Sequence, residues 1–179
     1  MNMKDYLLTL ITLSLLLSPL GAHAKRVYLE PGDFLSQSFP KNSPDANRLL
    51  ITGDIKANLR KVLHGRYSKV RIPYWQSGKR TAWILERIGK ERPITAGFVV
   101  EDNRIVSFKV LIFRESRGWE IHNTFFTEQF DDAYLKDKQK LSNHVDNITG
   151  ATMSVNAMKT LAKMALLLHA EVISKNSTL

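Results

Sequence analysis

From residue 154 to about residue 173, apolar side chains recur at every third or fourth position. Val155, Met158, Leu161, Ala162, Ala165, Leu168 and Val172 fall on one face, with Asn156, Lys159 and Lys163 opposite. That period predicts a long amphipathic helix near the end of the chain. Upstream the period is two. Residues 94–100 and 104–113 flank Glu101-Asp102-Asn103, and in the second run Ile105, Ser107, Lys109 and Leu111 alternate with Val106, Phe108, Val110 and Ile112. Two strands joined by a turn are predicted, in a sheet with helices on one face and a partly wet second face. Residues 66–75 and 81–88, around Gln76-Ser77-Gly78, predict another hairpin.

The segments between these runs are less regular. Asp54 is placed to cap a helix through about residue 64, with Ile55, Leu59, Val62 and Leu63 on one side and Gly65 as its stop. Residues 25–44 contain Pro31-Gly32, Phe39-Pro40 and Asn42-Ser43-Pro44, which predict an irregular lead-in. Residues 125–130 hold a compact aromatic group expected at the sheet edge, residues 131–144 are charged with one helical turn or none, and residues 174–179 form a polar tail. The expected fold is α+β: a mainly antiparallel sheet of four or more strands packed against helices, with a long C-terminal helix.

The first residues read differently. Lys4 precedes an apolar run over residues 6–17, Ser18-Pro19-Leu20-Gly21 breaks it, and Ala22-His23-Ala24 has the small-x-small pattern of a cleavage site. The run is shorter than the roughly 20 residues a bilayer-spanning helix needs. Residues 1–24 are therefore expected to be a signal peptide, and the remainder a soluble protein of the periplasm or another extracytoplasmic space. Residues 25–92 then form an extension of helix and hairpin, residues 93–173 the main domain, and residues 174–179 the tail.

Composition narrows the chemistry. Among 179 residues there is no cysteine, which excludes disulfides, thiolate-held clusters and a thiol nucleophile. Lys and Arg number 26 against 17 Asp and Glu, a formal charge of +9 spread in short clusters rather than a block, which suits solubility or steering to an acidic partner or anionic lipid. No G-x-G-x-x-G, Walker A, G-x-S-x-G or H-E-x-x-H pattern occurs. His64, His122, His144 and His169 are scattered, so no metal site is expected, and no catalytic set is assigned. Asp131-Asp132 reads as a solvated pair. Trp75, Trp83 and Trp119 read as core aromatics rather than a stacking platform, so no nucleic acid is expected as a partner.

The segment Asp146-Asn147-Ile148-Thr149-Gly150-Ala151-Thr152-Met153-Ser154 concentrates unusual features. Gly150 and Ala151 permit close backbone approach, Thr149, Thr152 and Ser154 bring hydroxyls, and a helix opens directly behind them. Such a helix start can receive a phosphate. It also fits a ligand-free turn, with Ser154 or Thr152 as helix cap, Gly150 in the bend and Asp146 closing an Asx-type hydrogen bond.

The same nine residues resemble the flavinylation motif of the FMN-binding domain family, which includes the covalent-flavin subunits of the sodium-translocating NADH:quinone reductase and of the Rnf electron-transport complex. The pattern is Asp, two variable residues, Ser or Thr, Gly, Ala, Thr or Ser, a variable residue and a final Thr or Ser, and every fixed position is met. Most members end in threonine, so Ser154 is a departure that keeps the alcohol. Glu115-Ser116-Arg117-Gly118-Trp119 resembles the family's Glu-Ser/Thr-x-Gly segment, and Phe126 and Gln129-Phe130 its following aromatics. The likeness runs over about residues 93–170.

The resemblance implies that a flavin transferase takes FMN from FAD and joins its phosphate to the Ser154 hydroxyl. Thr149 and Thr152 become partners of phosphate or flavin, Gly150 and Ala151 the small residues admitting the phosphate, and Glu115, Gly118 and Trp119 shape the flavin pocket. Asp146 belongs to the modification motif, in turn geometry or in recognition by the transferase. The leading expectation is an exported electron carrier with covalent FMN, exchanging electrons with membrane-bound or periplasmic redox proteins. A flavin-dependent reductase of a small substrate, or a cofactor-free assembly module of a membrane redox complex, are the alternatives.

Overall fold

The structure is a computed structural model that describes residues 25–176 apart from 42, 66 and 138. The expected signal peptide at 1–24 and the last three residues of the tail lie outside the described residues. Among the described residues the elements are β1 (Arg26–Val27), α1 (Pro31–Ser38), β2 (Ala46–Leu50), α2 (Gly53–Leu63), β3 (Arg71–Ser77), β4 (Arg80–Ile88), β5 (Pro93–Glu101), β6 (Arg104–Phe113), α3 (Thr124–Thr127), β7 (Leu135–Lys136), β8 (Lys140–Leu141) and α4 (Thr152–Asn176). Short 3-10 turns at Trp119–His122 and Glu128–Phe130 flank α3.

The fold is α+β, as expected. Six strands form an antiparallel sheet in the order β1-β6-β5-β4-β3-β2, so consecutive strands from β2 to β6 are neighbours. Two-residue loops close two of its hairpins. Gly78 has φ +56° between β3 and β4, and Asp102 and Asn103 take φ 47° and 61° between β5 and β6. Positive φ at the first central residue of the β3–β4 loop, and at both of the β5–β6 loop, matches the right-handed twist of paired strands.

One sheet face carries the larger core. Trp83 and Leu85 from β4, Ile94, Ala96, Phe98 and Val100 from β5, and Phe108 and Val110 from β6 point toward α2 and α4. The aromatic group expected at the sheet edge packs into this core: Phe126 and Phe130 are buried, and Phe130 lies edge-on to Phe108 at 4.8 Å. α4 begins at Thr152, two residues before the expected start, and more of its circumference is buried than one face. Met164, Leu166 and Leu167 join the predicted stripe because α2 lies along the helix as well as the sheet.

The second face is partly wet, as expected, with Lys109 exposed and Ser107 half-buried, but part of it is covered. The lead-in expected to be irregular forms α1, which starts on Pro31, whose fixed φ and missing N–H suit the first helical turn. It ends where Phe39 precedes Pro40, since a residue before proline avoids the helical region. Phe34 and Phe39 cover Ala82, Val99, Leu111 and Ile112. Gly97 makes this possible, because a Cβ there would stand 2.6 Å from the Phe34 ring.

Smaller differences have local causes. α2 starts after Thr52, which leaves Asp54 in the first turn rather than at the cap, where its charge still favours the helix dipole. The left-handed residue that ends α2 is His64, one before Gly65. The charged stretch after Phe130 contains the β7–β8 hairpin. β2 pairs with β3 over Leu49–Ile72, although its run Ala46–Leu50 has too little alternation to be read as a strand. No helix among the described residues is long and apolar enough to cross a membrane.

Candidate functional site

Ile148 opens a tight turn in which Ala151 N–H donates to the Ile148 carbonyl at 2.9 Å, and Gly150 has φ +80°. That conformation at the third turn position is the reason glycine stands there. The first helical hydrogen bond of α4 runs from Val155 N–H to the Ala151 carbonyl at 3.0 Å. Ala151 therefore occupies the cap position, and neither Ser154 nor Thr152 caps the helix. With no side-chain oxygen at the cap, the N–H groups of Thr152, Met153 and Ser154 remain without an intrahelical acceptor.

Ala151 is buried because Gly118 lies against it: a Cβ on Gly118 would come within 2.7 Å of the Ala151 methyl. Gly118 has φ +82° and turns the chain out of the link after β6. Another glycine closes the opposite side. A Cβ on Gly89 would stand 2.8 Å from Glu115 Oε1 and 3.2 Å from Ser154 Oγ, while one on Gly118 would stand 3.4 Å from the same hydroxyl. Without side chains, both glycines bring their segments close around the space at Ser154 Oγ.

Glu115 organises that space. It is buried at the end of β6, and its Oε1 accepts from the backbone N–H groups of Lys90, Glu91 and Arg92 at 2.5, 2.8 and 3.0 Å. A carboxylate holding three N–H groups of one turn fixes the β4–β5 connection against the helix start. The result is a cleft of about 520 Å³ lined by Lys90, residues 115–117 and residues 150–154. Ser154 sits in it only 4% exposed, and its hydroxyl has no hydrogen-bond partner among the described residues.

The other residues singled out in the sequence lie at varied distances from this hydroxyl. Thr152 is exposed and lines the cleft, as does Gly150. Thr149 is exposed and does not line it. Trp119 follows Gly118 but is 42% exposed, in tilted contact with His122, whereas Trp83 is buried and Trp75 half-buried. Asp146 closes no Asx turn. Its carboxylate pairs with His144 at 3.3 Å on the surface, and its N–H is held by Gln129 at 2.7 Å. Asp131 and Asp132 are exposed.

The sequence assigned no role to Gly89 or Lys90, and it marked Ser116 only as part of the Glu115–Gly118 likeness. Gly89 follows directly on a strand-like run, where glycine signals close approach of another group, and that signal was present. Nothing in the local pattern of Lys90 or Ser116 separates them from other surface residues.

The cleft fits a phosphate-linked nucleotide by its own chemistry: unpaired helix N–H groups, an alcohol without a partner among the described residues, and cationic side chains at the edge. Residues 89–167 match the family model described as FMN-binding domain. An FMN-binding domain thus covers part of the chain, beginning on Gly89 and taking in every residue that lines the cleft. No curated protein and no solved structure matches the chain.

Proposed function

We propose that this FMN-binding domain carries its cofactor covalently, through a phosphoester on Ser154, and that the chain works as an exported electron carrier. Ser154 supports the reading more than any other residue: its hydroxyl is nearly buried, lacks a partner and faces a cleft large enough for a phosphate. Serine oxygen is an adequate acceptor, and the neighbouring Val155 has none. The Ser154 Oγ–P bond would form as the pyrophosphate bond of FAD breaks, with AMP leaving and the hydroxyl proton passing to the flavin transferase that brings FAD.

Each residue at the cleft then has a defined task. The N–H groups of Thr152, Met153 and Ser154 face a negative diester at the positive end of α4, an interaction of about 0.3–1 kcal/mol when exposed. Glu115 holds the β4–β5 turn in place, and Gly89 and Gly118 let the two flanking segments pack close around Ser154. Exposed Asp146 is available to the transferase, and Trp119 with Met153 offers apolar surface beside the opening. When bound, FMN supplies reversible oxidation and reduction, and covalent attachment prevents its loss outside the cytoplasm. The positive surface favours acidic redox partners in the periplasm or at the membrane.

Intact-mass measurement of the exported chain produced with a flavin transferase tests this directly. One FMN, less one water, is expected on the chain, and peptide mapping is expected to place it on Ser154. An unmodified Ser154 peptide from a cell whose other targets are flavinylated would overturn it.

A further inference from the structure

We infer that Lys90 and Arg117 form a two-sided cationic clamp for the phosphate of the flavin nucleotide, an inference that rests on Ser154 being the attachment point. Both line the cleft, and they come from separate segments: Lys90 from the β4–β5 turn, Arg117 from the link between β6 and the Trp119–His122 turn. Neither backbone is free to move away. Glu115 holds the Lys90 N–H at 2.5 Å, and Gly118, packed on Ala151, anchors Arg117 beside the first turn of α4.

Their charges are available. The ammonium of Lys90 meets a carboxylate only at Glu91, 3.6 Å away, with both side chains mostly in solvent, a geometry that binds weakly. Arg117 is exposed and has no ion pair or hydrogen bond among the described residues. The one carboxylate lining the cleft, Glu115, has an oxygen already engaged by three N–H groups. An entering phosphate therefore meets unpaired helix N–H groups and two cations, Arg117 without an ion pair among the described residues and Lys90 in one solvent-exposed pair. The Ser154 hydroxyl, without a hydrogen-bond partner among the described residues and lining the same cleft, is where the phosphorus comes to rest.

Two cations suit the phosphate of free FMN, about −1.5 to −2 at neutral pH, and the single negative charge of the diester it becomes, whereas riboflavin offers them no charge. The clamp thus selects the phosphate and leaves the ring system to other contacts. Full chain produced without a flavin transferase can be titrated with FMN and with riboflavin, following flavin fluorescence at low salt. FMN is expected to bind about tenfold more tightly than riboflavin, with the difference shrinking as salt is added. The K90E/R117E variant is expected to lose that preference, and K90R/R117K to keep it. The milder K90Q/R117Q serves if charge reversal disturbs folding, checked by circular dichroism.

Equal affinity for the two flavins in the unaltered chain would overturn the clamp, as would an unchanged preference in K90Q/R117Q. Peptide mass after flavinylation separates this from the premise. An adduct on Ser154 without an FMN preference removes the clamp alone, whereas an FMN preference without an adduct removes the attachment site.

Discussion

Helix α4 buries two polar side chains, and they are treated in opposite ways. His169, near its C-terminal end, is 1% exposed and fully engaged: Asn103 N–H donates to Nε2 at 3.3 Å, and Nδ1 lies 2.8 Å from Thr81 Oγ1, which also accepts from Trp83 Nε1–H at 2.8 Å. Ser154, near the N-terminal end, is almost as buried and engages nothing. Folding alone explains the first, because buried polar groups are normally paired. The second has no partner among the described residues: Ser154 is a buried residue whose oxygen opens on the cleft, where solvent or a ligand can reach it.

The comparison can be broken most sharply by removing each side chain. Ser154→Ala is expected to abolish flavin attachment completely while leaving the folded chain as stable as before, or more stable by up to about 1 kcal/mol, since alanine is the better helix former and no hydrogen bond is lost. His169→Leu is expected to do the reverse. It removes the His169 partner of the buried Thr81 hydroxyl and of the Asn103 N–H at the turn, at a cost of roughly 2–4 kcal/mol, with Ser154 still modified in the folded fraction. Denaturant titration paired with intact mass on each variant reads both quantities. If Ser154→Ala proves as destabilising as His169→Leu, the hydroxyl is a structural group and the contrast fails.

Thr81→Val sharpens the same contrast at smaller amplitude. Valine keeps the shape but offers no oxygen to His169 or Trp83, so a loss of about 1–3 kcal/mol is expected. Thr152→Val, a matched change at the exposed first residue of α4, is expected to move stability by less than about 0.5 kcal/mol. Equal effects at the two positions would show that the Thr81 hydroxyl contributes nothing specific.

This division of labour is only partly legible in the amino-acid order. The stripe from Val155 to Val172 and the alternation through β5 and β6 locate the main core because both sit on long periodic elements. α1 is short and punctuated by proline and glycine, so the cover of the second face is hidden. What reveals it is a tertiary contact, Phe34 upon Gly97, that no local period records. At the site, the motif residues stand together because they are consecutive. Glu115 was legible only by family likeness, and its grip on the Gly89–Arg92 turn joins segments far apart in the chain. His169 appeared as one of several scattered histidines, since neither Thr81 nor Asn103 is near it in sequence.

The last expectation concerns pH, and its sign follows from His169. Burial pushes this imidazole down from 6.5 to about 4, against a smaller upward pull from Asp102 and Glu101 on the β5–β6 turn. Those carboxylates are also committed to Lys79 at 3.1 Å and Arg80 at 2.8 Å. Between about pH 6.5 and pH 4 the unfolded chain binds a proton at this position that the folded chain does not, so stability rises with pH across that window. The contribution is complete above about pH 6.5 and is lost as the pH falls toward 4, an effect of order 1–2 kcal/mol once solvent near the turn is allowed for. Urea unfolding at about pH 7 and about pH 4.5 is expected to show a smaller pH dependence in His169→Leu than in the unaltered chain, the comparison cancelling carboxylates common to both. Flavin retained on Ser154 should be unaffected over the same range, because a phosphodiester has no proton to gain there. Identical pH dependence in the two chains would mean that His169 titrates alike folded and unfolded, and that its burial carries none of the energy assigned to it.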